Sequence, residues 1–255
     1  MYVADVLSRD SEMLHGISLA VESLGMELAL AVSLADVSGH RLYLRNTAEQ
    51  PVLLASLPQY TTATAVVKRV VDIIGSACAL LISSPIMLGV AIAIKFDDGG
   101  PVFFSQQRVG LHGKPFTMYK FRSMKVQDAS EEKKAWTVKN DPRVTPIGKF
   151  MRKTNIDELP QLVNVLRGDM SLVGPRPERP FFVKKFQEVI PRYMIKHQVR
   201  PGMTGWAQVN GYRGDTSIAK RIECDLYYVE NWTLWLDFKI LFLTFFGRDV
   251  NKNAC

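Results

Sequence analysis

The sequence predicts an α+β protein held monotopically, from one face, in a membrane. Three features lead there: a 22-residue stretch without formal charge, Ile73 to Ile94; a basic middle with the alternation of short paired strands; and a dense apolar segment with two tryptophans, Trp232 to Phe246.

The uncharged stretch reads IIGSACALLISSPIMLGVAIAI. As a straight helix it would measure roughly 33 Å, enough to cross a bilayer. A buried core helix would also read this way, but so long a run in a chain of 255 residues favours membrane contact. Ser83-Ser84-Pro85 interrupts it at the middle, where proline removes a backbone donor and the serine hydroxyls can satisfy the carbonyls released. Lys68 and Arg69 precede the run, and Lys95 follows, with Arg108 and Lys114 beyond. Basic residues at both ends favour the cytoplasmic side, so the reading is a re-entrant helix, about residues 70–96, that turns at Ser84-Pro85 and returns to the face it left.

Composition narrows the partners. Residues 1–60 hold 3 basic and 7 acidic side chains; residues 61–255 hold 29 and 18, a balance of +11. The larger part therefore expects an anionic partner: nucleic acid, a phospholipid surface or a phosphorylated metabolite. With 47% hydrophobic and 22% charged residues the chain is neither disordered nor low-complexity. Cys78, Cys224 and Cys255 lie too far apart for a CxxC site, which speaks against a disulfide framework or zinc. The N-terminus lacks the pattern of a secretory signal. Pro51, Pro58 and the TTAT run mark a boundary near Gln59–Thr64.

Between Gly99 and Gln127 there are five basic residues and no acid. GPVFFSQQRVGLHGKPFTMYKFRSM reads as two strands around a Gly110–Gly113 turn, with Lys120 and Arg122 on one face. Arg143, Lys149, Arg152 and Lys153 form a second basic cluster. Converging cations suit a diphosphate, although on charge alone a solvated or lipid-facing basic surface is the better reading. Thr154-Asn155-Ile156-Asp157-Glu158 then reads either as a capped helix start or as a pair of carboxylates that divide phosphoryl transfer, one attacking phosphorus and the other holding Mg²⁺. Pro175 and Pro177 stiffen the backbone around Arg176, as a structural turn or as a mount for a phosphate-binding arginine. His15, His40, His112 and His197 show no ligand or triad spacing. The apolar C-terminal segment, carrying Asp237 and Lys239, suits either an interfacial helix or a core helix.

KRVVDIIG, the SSP break, GGPVFFSQQRVGLHGKPFTMYKFRSM, DELPQLVNVLRGDMSLVGPRPERP and RPGMTGWAQVNGYRGDTSIAKRIECDLYYVENWTLWLDFKI follow one another over residues 66–255. In this order they resemble the bacterial sugar transferase family, the polyprenyl-phosphate hexose-1-phosphate transferases or monotopic phosphoglycosyl transferases. The resemblance implies an enzyme on the cytoplasmic face of the bacterial inner membrane, with interfacial amphipathic helices and a small cytoplasmic catalytic domain. It would pass hexose-1-phosphate from a UDP-hexose to undecaprenyl phosphate, releasing UMP, to prime exopolysaccharide, capsule or O-antigen synthesis. Asp157 would be the nucleophile, forming a covalent phospho-sugar intermediate, and Glu158 the Mg²⁺ ligand. Arg152 would bind phosphate, Arg176 with Pro175 and Pro177 would hold the nucleotide, and Lys120 and Arg122 would be active-site cations. Ser84 and Pro85 match the family's helix break.

Longer relatives carry spanning helices and a Rossmann-like soluble domain before the transferase; residues 1–62 resemble the tail of that domain, with the transferase over 63–255. GLHGK carries His112 where the family usually has Asn, and the chain ends in Cys255 rather than an aromatic residue. DTSIAKRI, YYVENWTLWLD and VNKNA resemble glucose-phosphate primers, while galactose and homo-oligomerisation stay open. A nucleic-acid-binding protein would leave the apolar run and the acid pair without a purpose, so no nucleic acid is expected. A non-catalytic membrane scaffold would be indifferent to loss of Asp157.

Overall fold

The computed structural model describes residues 2–3, 29–30, 42–46, 51–55, 62–125, 143–190, 192–214 and 216–247. The VNKNA ending and Cys255 lie outside them. Two compact units divide the chain, Met1–Ser56 and Leu57–Cys255. In the first, β1 (Tyr2–Val3) pairs in parallel with β2 (Ala29–Leu30), and β3 (Leu42–Asn46) pairs antiparallel with β4 (Pro51–Ala55).

The second unit mixes helices with short strand pairs. It opens with α1 (Thr62–Asp98), 37 residues long with Pro85 inside it. Among the described residues this is the helix long and apolar enough to cross a membrane. The helix continues through the proline, and the reason is local. Pro85 has no N–H for the carbonyl of Leu81, and Ser84 Oγ donates to that carbonyl at 2.8 Å instead. Leu81, Ile82, Ile86 and Leu88 are exposed along the same stretch.

The hairpin forms as the sequence indicates. β5 (Phe103–Val109) pairs antiparallel with β6 (Pro115–Phe121), from Val109 opposite Pro115 to Phe103 opposite Phe121. A 3₁₀ turn, Leu111–Gly113, joins them. Phe121, Met151 of α2 (Pro146–Thr154) and Ile94 of α1 share one core cluster. Thr145 starts α2 by accepting the Gly148 N–H, with Pro146 at the first helical position.

Asn155 and the acid pair differ from the expected helix start. Asn155 is left-handed (φ 58°) and ends α2 through its backbone N–H, so it is a C-terminal cap. Asp157 and Glu158 follow on a 3₁₀ turn, Ile156–Glu158, and α3 begins only at Gln161, running to Arg167. One left-handed residue, Asn155, thus separates the acid pair from α2, while Leu159 and Pro160, both right-handed, lead on to α3; a residue-by-residue capping pattern does not distinguish this from one helix start.

Beyond α3, β7 (Ser171–Val173) pairs in parallel with β8 (Gly202–Thr204). Gly202 of β8 and Gly174, just past β7, set the close approach: a Cβ on Gly202 would sit 2.0 Å from the Gly174 nitrogen. Between the strands lie α4 (Pro180–Val189) and a 3₁₀ segment, Tyr193–Gln198. The short α5 (Trp206–Val209), α6 (Ile218–Glu230) and α7 (Leu234–Phe246) complete the unit. Val173, Val199, Tyr228, Val229 and Ile240 make the main core where β7, α6 and α7 meet. On α7, Trp235, Phe238, Phe242, Phe245 and Phe246 remain exposed.

Candidate active site

The acid pair is buried, each residue 8% exposed, on the turn between α2 and α3. Three basic side chains from three separate elements converge on Glu158. Lys120 Nζ, at the end of β6, lies 2.8 Å from Oε1. Arg176 Nη2, from the loop after β7, lies 2.8 Å from the same oxygen, with Nη1 3.5 Å from Oε2. Arg213 Nη2, from the loop before α6, lies 3.4 Å from Oε1. The spacing in sequence, 38, 18 and 55 residues away, closes only through the fold.

Each cation has a fixed mount. The backbone before Arg176 is tied to β8 by Gly174 N–H to Thr204 O (2.9 Å) and Gly202 N–H to Pro175 O (2.9 Å). Pro175 and Pro177 then restrict the dihedrals on either side. β6 is held to α3 by Asn164, whose Nδ2 donates to Thr117 O at 2.8 Å and whose Oδ1 accepts the Tyr119 N–H at 3.1 Å. Arg213 stands between Gly211 (φ 81°) and Gly214 (φ 69°), a turn that side chains disfavour.

The electrostatic consequence is asymmetric. Burial alone would raise the Glu158 carboxyl, but Arg176, Lys120 and Arg213 outweigh it and hold Glu158 well below the usual carboxylate range. At Asp157 burial wins: the carboxyl is pushed up, helped by the Glu158 charge and opposed by Lys120, Arg152 and Arg213. Burial lowers Lys120 and Arg213, against the pull of Glu158. Arg176 is raised, chiefly by Glu158.

The expected site residues divide accordingly. Lys120 and Arg176 meet at Glu158; Arg152 directs Nε to Ser123 Oγ at 2.9 Å, with its charge felt at Asp157. Arg122 lies past the end of β6, with its guanidinium against Gly100, where a Cβ would meet it at 2.6 Å. The shared face inferred from alternation therefore ends with Lys120. The charge pattern of the sequence does not single out Arg213; the signal it carries is an arginine between two glycines in GYRG. Arg108 joins from β5, donating to Gln106 Oε1 at 2.7 Å and to Pro177 O at 3.4 Å. Burial and the nearby Arg176 lower it to about 10.

Among the described residues no three His, Cys, Asp or Glu side chains gather as a metal cage. Magnesium needs no such cage: one or two carboxylates suffice when substrate phosphates supply further oxygens. Glu158 fits that mode, because the short cation contacts fall on Oε1 and Oε2 keeps only the longer Arg176 approach among those described.

Comparison with known proteins adds the family. A model of the bacterial sugar transferase family matches residues 63–248. An Escherichia coli (strain K12) UDP-glucose:undecaprenyl-phosphate glucose-1-phosphate transferase is 47% identical over 191 residues, covering 73% of this chain and 41% of that protein. An Aeromonas hydrophila UDP-N-acetylgalactosamine-undecaprenyl-phosphate N-acetylgalactosaminephosphotransferase is 49% identical over 182 residues, 71% and 43% respectively. A Caulobacter vibrioides UDP-glucose:undecaprenyl-phosphate glucose-1-phosphate transferase is 38% identical over 230 residues, 89% and 86%. The chain spans about two-fifths of the length of the first two. Every group placed around Glu158 falls within the matched residues, and on the extent of that match the chain belongs to the bacterial sugar transferase family.

Proposed function

We propose that the chain transfers glucose-1-phosphate from UDP-glucose to undecaprenyl phosphate at the cytoplasmic face of the bacterial inner membrane, releasing UMP and priming polysaccharide assembly. The observation that carries the reading is the opposed pair: a buried Asp157 made more basic beside a Glu158 held ionised by three cations.

A raised carboxylate is the better nucleophile once ionised, and a ring of positive charge lets it approach an anionic diphosphate. In the first step an Asp157 oxygen bonds to the phosphorus that carries the sugar. The bond from that phosphorus to the bridging oxygen breaks, and UMP departs with the electron pair. In the second step a phosphate oxygen of the lipid acceptor attacks the same phosphorus and Asp157 leaves as carboxylate. Arg176, Lys120 and Arg213 would take up phosphate charge, with Arg152, whose charge acts on Asp157, assisting. Glu158 would hold Mg²⁺ together with the substrate's diphosphate; when bound, the ion supplies further charge neutralisation at the phosphates.

A membrane position follows from how α1 is seated. A helix that crosses a bilayer carries its ends to opposite sides. Here one end packs against Leu172 through Gly75 and the other joins Phe121 and Met151 through Ile94, so both ends rest on one domain. The exposed residues around Ser84-Pro85 lie between them. This supports a re-entrant element that dips into one leaflet, alongside the exposed aromatic residues of α7.

Relatives of similar identity are named for glucose and for N-acetylgalactosamine, so identity alone does not choose the sugar. UMP release from detergent-solubilised chain with Mg²⁺ and undecaprenyl phosphate should occur with UDP-glucose and be much slower with UDP-galactose or UDP-N-acetylgalactosamine. No acceptor-dependent UMP with any of the three would overturn the reading.

A further inference from the structure

Lys68 and Arg69 of KRVVDIIG suit the basic flank of a membrane helix in sequence, yet the charged side chains of this motif turn to protein partners. Lys68 is only 8% exposed. Its Nζ donates to Val173 O (3.1 Å) and pairs with Asp237 Oδ2 (2.5 Å). The Tyr228 hydroxyl, 3.2 Å from Lys68 Nζ, lies 3.0 Å from the same Val173 carbonyl and 2.8 Å from Asp237 Oδ1. Trp232 Nε1 closes the group by donating to Asp237 Oδ2 at 3.1 Å. Arg69 donates to Val165 O (2.6 Å) and Leu166 O (2.7 Å), carbonyls of the last turn of α3. Asp72, one turn after Lys68, accepts the Leu172 N–H and the Ser171 hydroxyl, each at 3.0 Å.

The three side chains thus grip the α3–β7 segment, which leads directly from the acid pair to Arg176. Val173 is three residues from Arg176, and the intervening backbone is tied to β8 on both sides of Gly174. A shift of the Val173 carbonyl therefore has little freedom to relax before it reaches the guanidinium that meets Glu158.

We infer that Lys68, Arg69 and Asp72 are a clamp that sets the register of the membrane helix against the catalytic segment, with Lys68 a positioning residue for Arg176 through the Val173 carbonyl. The inference rests on the transferase reading, in which Arg176 holds the nucleotide. A simple anchor would need none of this specificity: apolar contact alone would seat α1, whereas a buried lysine on a backbone carbonyl fixes distance and direction.

The test is a double-mutant cycle on the full detergent-solubilised chain, reading UDP affinity by calorimetry and, separately, UMP release by the wild type. Lys68→Met should weaken UDP binding roughly tenfold in the wild-type background, because a pre-set guanidinium is lost. In an Arg176→Ala background the same change should cost less than about twofold. If Lys68→Met does not fold, Tyr228→Phe, which removes one hydroxyl from the same carbonyl, carries the cycle with the same pattern at smaller size. Equal losses in both backgrounds, or no loss in a folded variant, overturn the clamp. A wild type that binds UDP but releases no UMP with any UDP-sugar overturns the transferase reading and leaves the cycle to judge the clamp; one that binds no UDP overturns the clamp's role as well.

Discussion

Asp157 and Glu158 are adjacent on one 3₁₀ turn, yet their carboxyls are driven in opposite directions, Asp157 up from its ordinary value by burial and Glu158 well below its own. Burial acts on both. The difference is that Lys120, Arg176 and Arg213 all reach Glu158 oxygens. Two carboxyls separated in this way can take two roles, one reactive and one that stays ionised at neutral pH.

Asp157→Asn should lower UMP release by about three orders of magnitude or more, since the attacking group is gone. The same variant should melt at a higher temperature near pH 7.5. A carboxyl raised in the folded state binds its proton more tightly there than when unfolded, so ionising it at neutral pH opposes folding. Thermal unfolding of both proteins in one detergent checks the sign.

Glu158→Gln should do the reverse to stability. It leaves Lys120, Arg176 and Arg213 facing a neutral amide in a buried site, a loss of about 3–5 kcal/mol by comparison with other broken buried pairs. Because the folded carboxyl is depressed, this contribution is complete above its unfolded value, about 4.3, and fades as pH falls through the folded one. Melting curves of wild type and variant should therefore converge in acid and separate above about pH 4.3.

Arg213→Ala removes the one cation at Glu158 carried by a glycine-flanked loop. Among the charged groups described there, it sits farthest from Glu158, at 3.4 Å, which leaves it free to turn to an incoming phosphate. We expect kcat/KM for the UDP-sugar to fall roughly a hundredfold with a melting temperature close to wild type. Steady-state kinetics on the folded variant decides.

His197 gives a pH prediction beside the Pro175-Arg176-Pro177 loop, with which it lines one cavity. It is 5% exposed, packs edge-on to Tyr193, and burial followed by the neighbouring Lys196 lowers it to about 4. The unfolded imidazole takes its proton near 6.5, so the folded state loses stability as pH falls from there toward 4, on the order of 3 kcal/mol in all. His197→Gln should flatten the melting temperature between pH 6.5 and 4.5 relative to wild type.

The parts of the fold written in local pattern were legible in the sequence. The hairpin follows from alternation around Gly110–Gly113, and the apolar helix from its lack of charge; the Ser84 hydroxyl serves the carbonyl that Pro85 leaves open, as a serine beside proline indicates. Local pattern failed where a residue's role is set by a distant partner. Lys68 and Arg69 look like headgroup cations until Val173, Asp237 and the end of α3 are brought to them. Asn155 looks like a helix start because a single left-handed residue between a helix and a 3₁₀ turn has no periodicity of its own. Arg213 joins Glu158 across 55 residues, a distance over which charge patterning carries no information. Trp232 and Trp235 look alike in composition, but Trp232 turns inward to Asp237 while Trp235 stays exposed.

The most direct test of the central claim is to incubate the wild-type chain, without lipid acceptor, with UDP-glucose labelled at the sugar-bearing phosphate. The account predicts a burst of UMP approaching one per chain and label retained on the peptide that contains Asp157, absent from Asp157→Asn. UMP that appears only when acceptor is present, with no label on the wild-type protein, would contradict it.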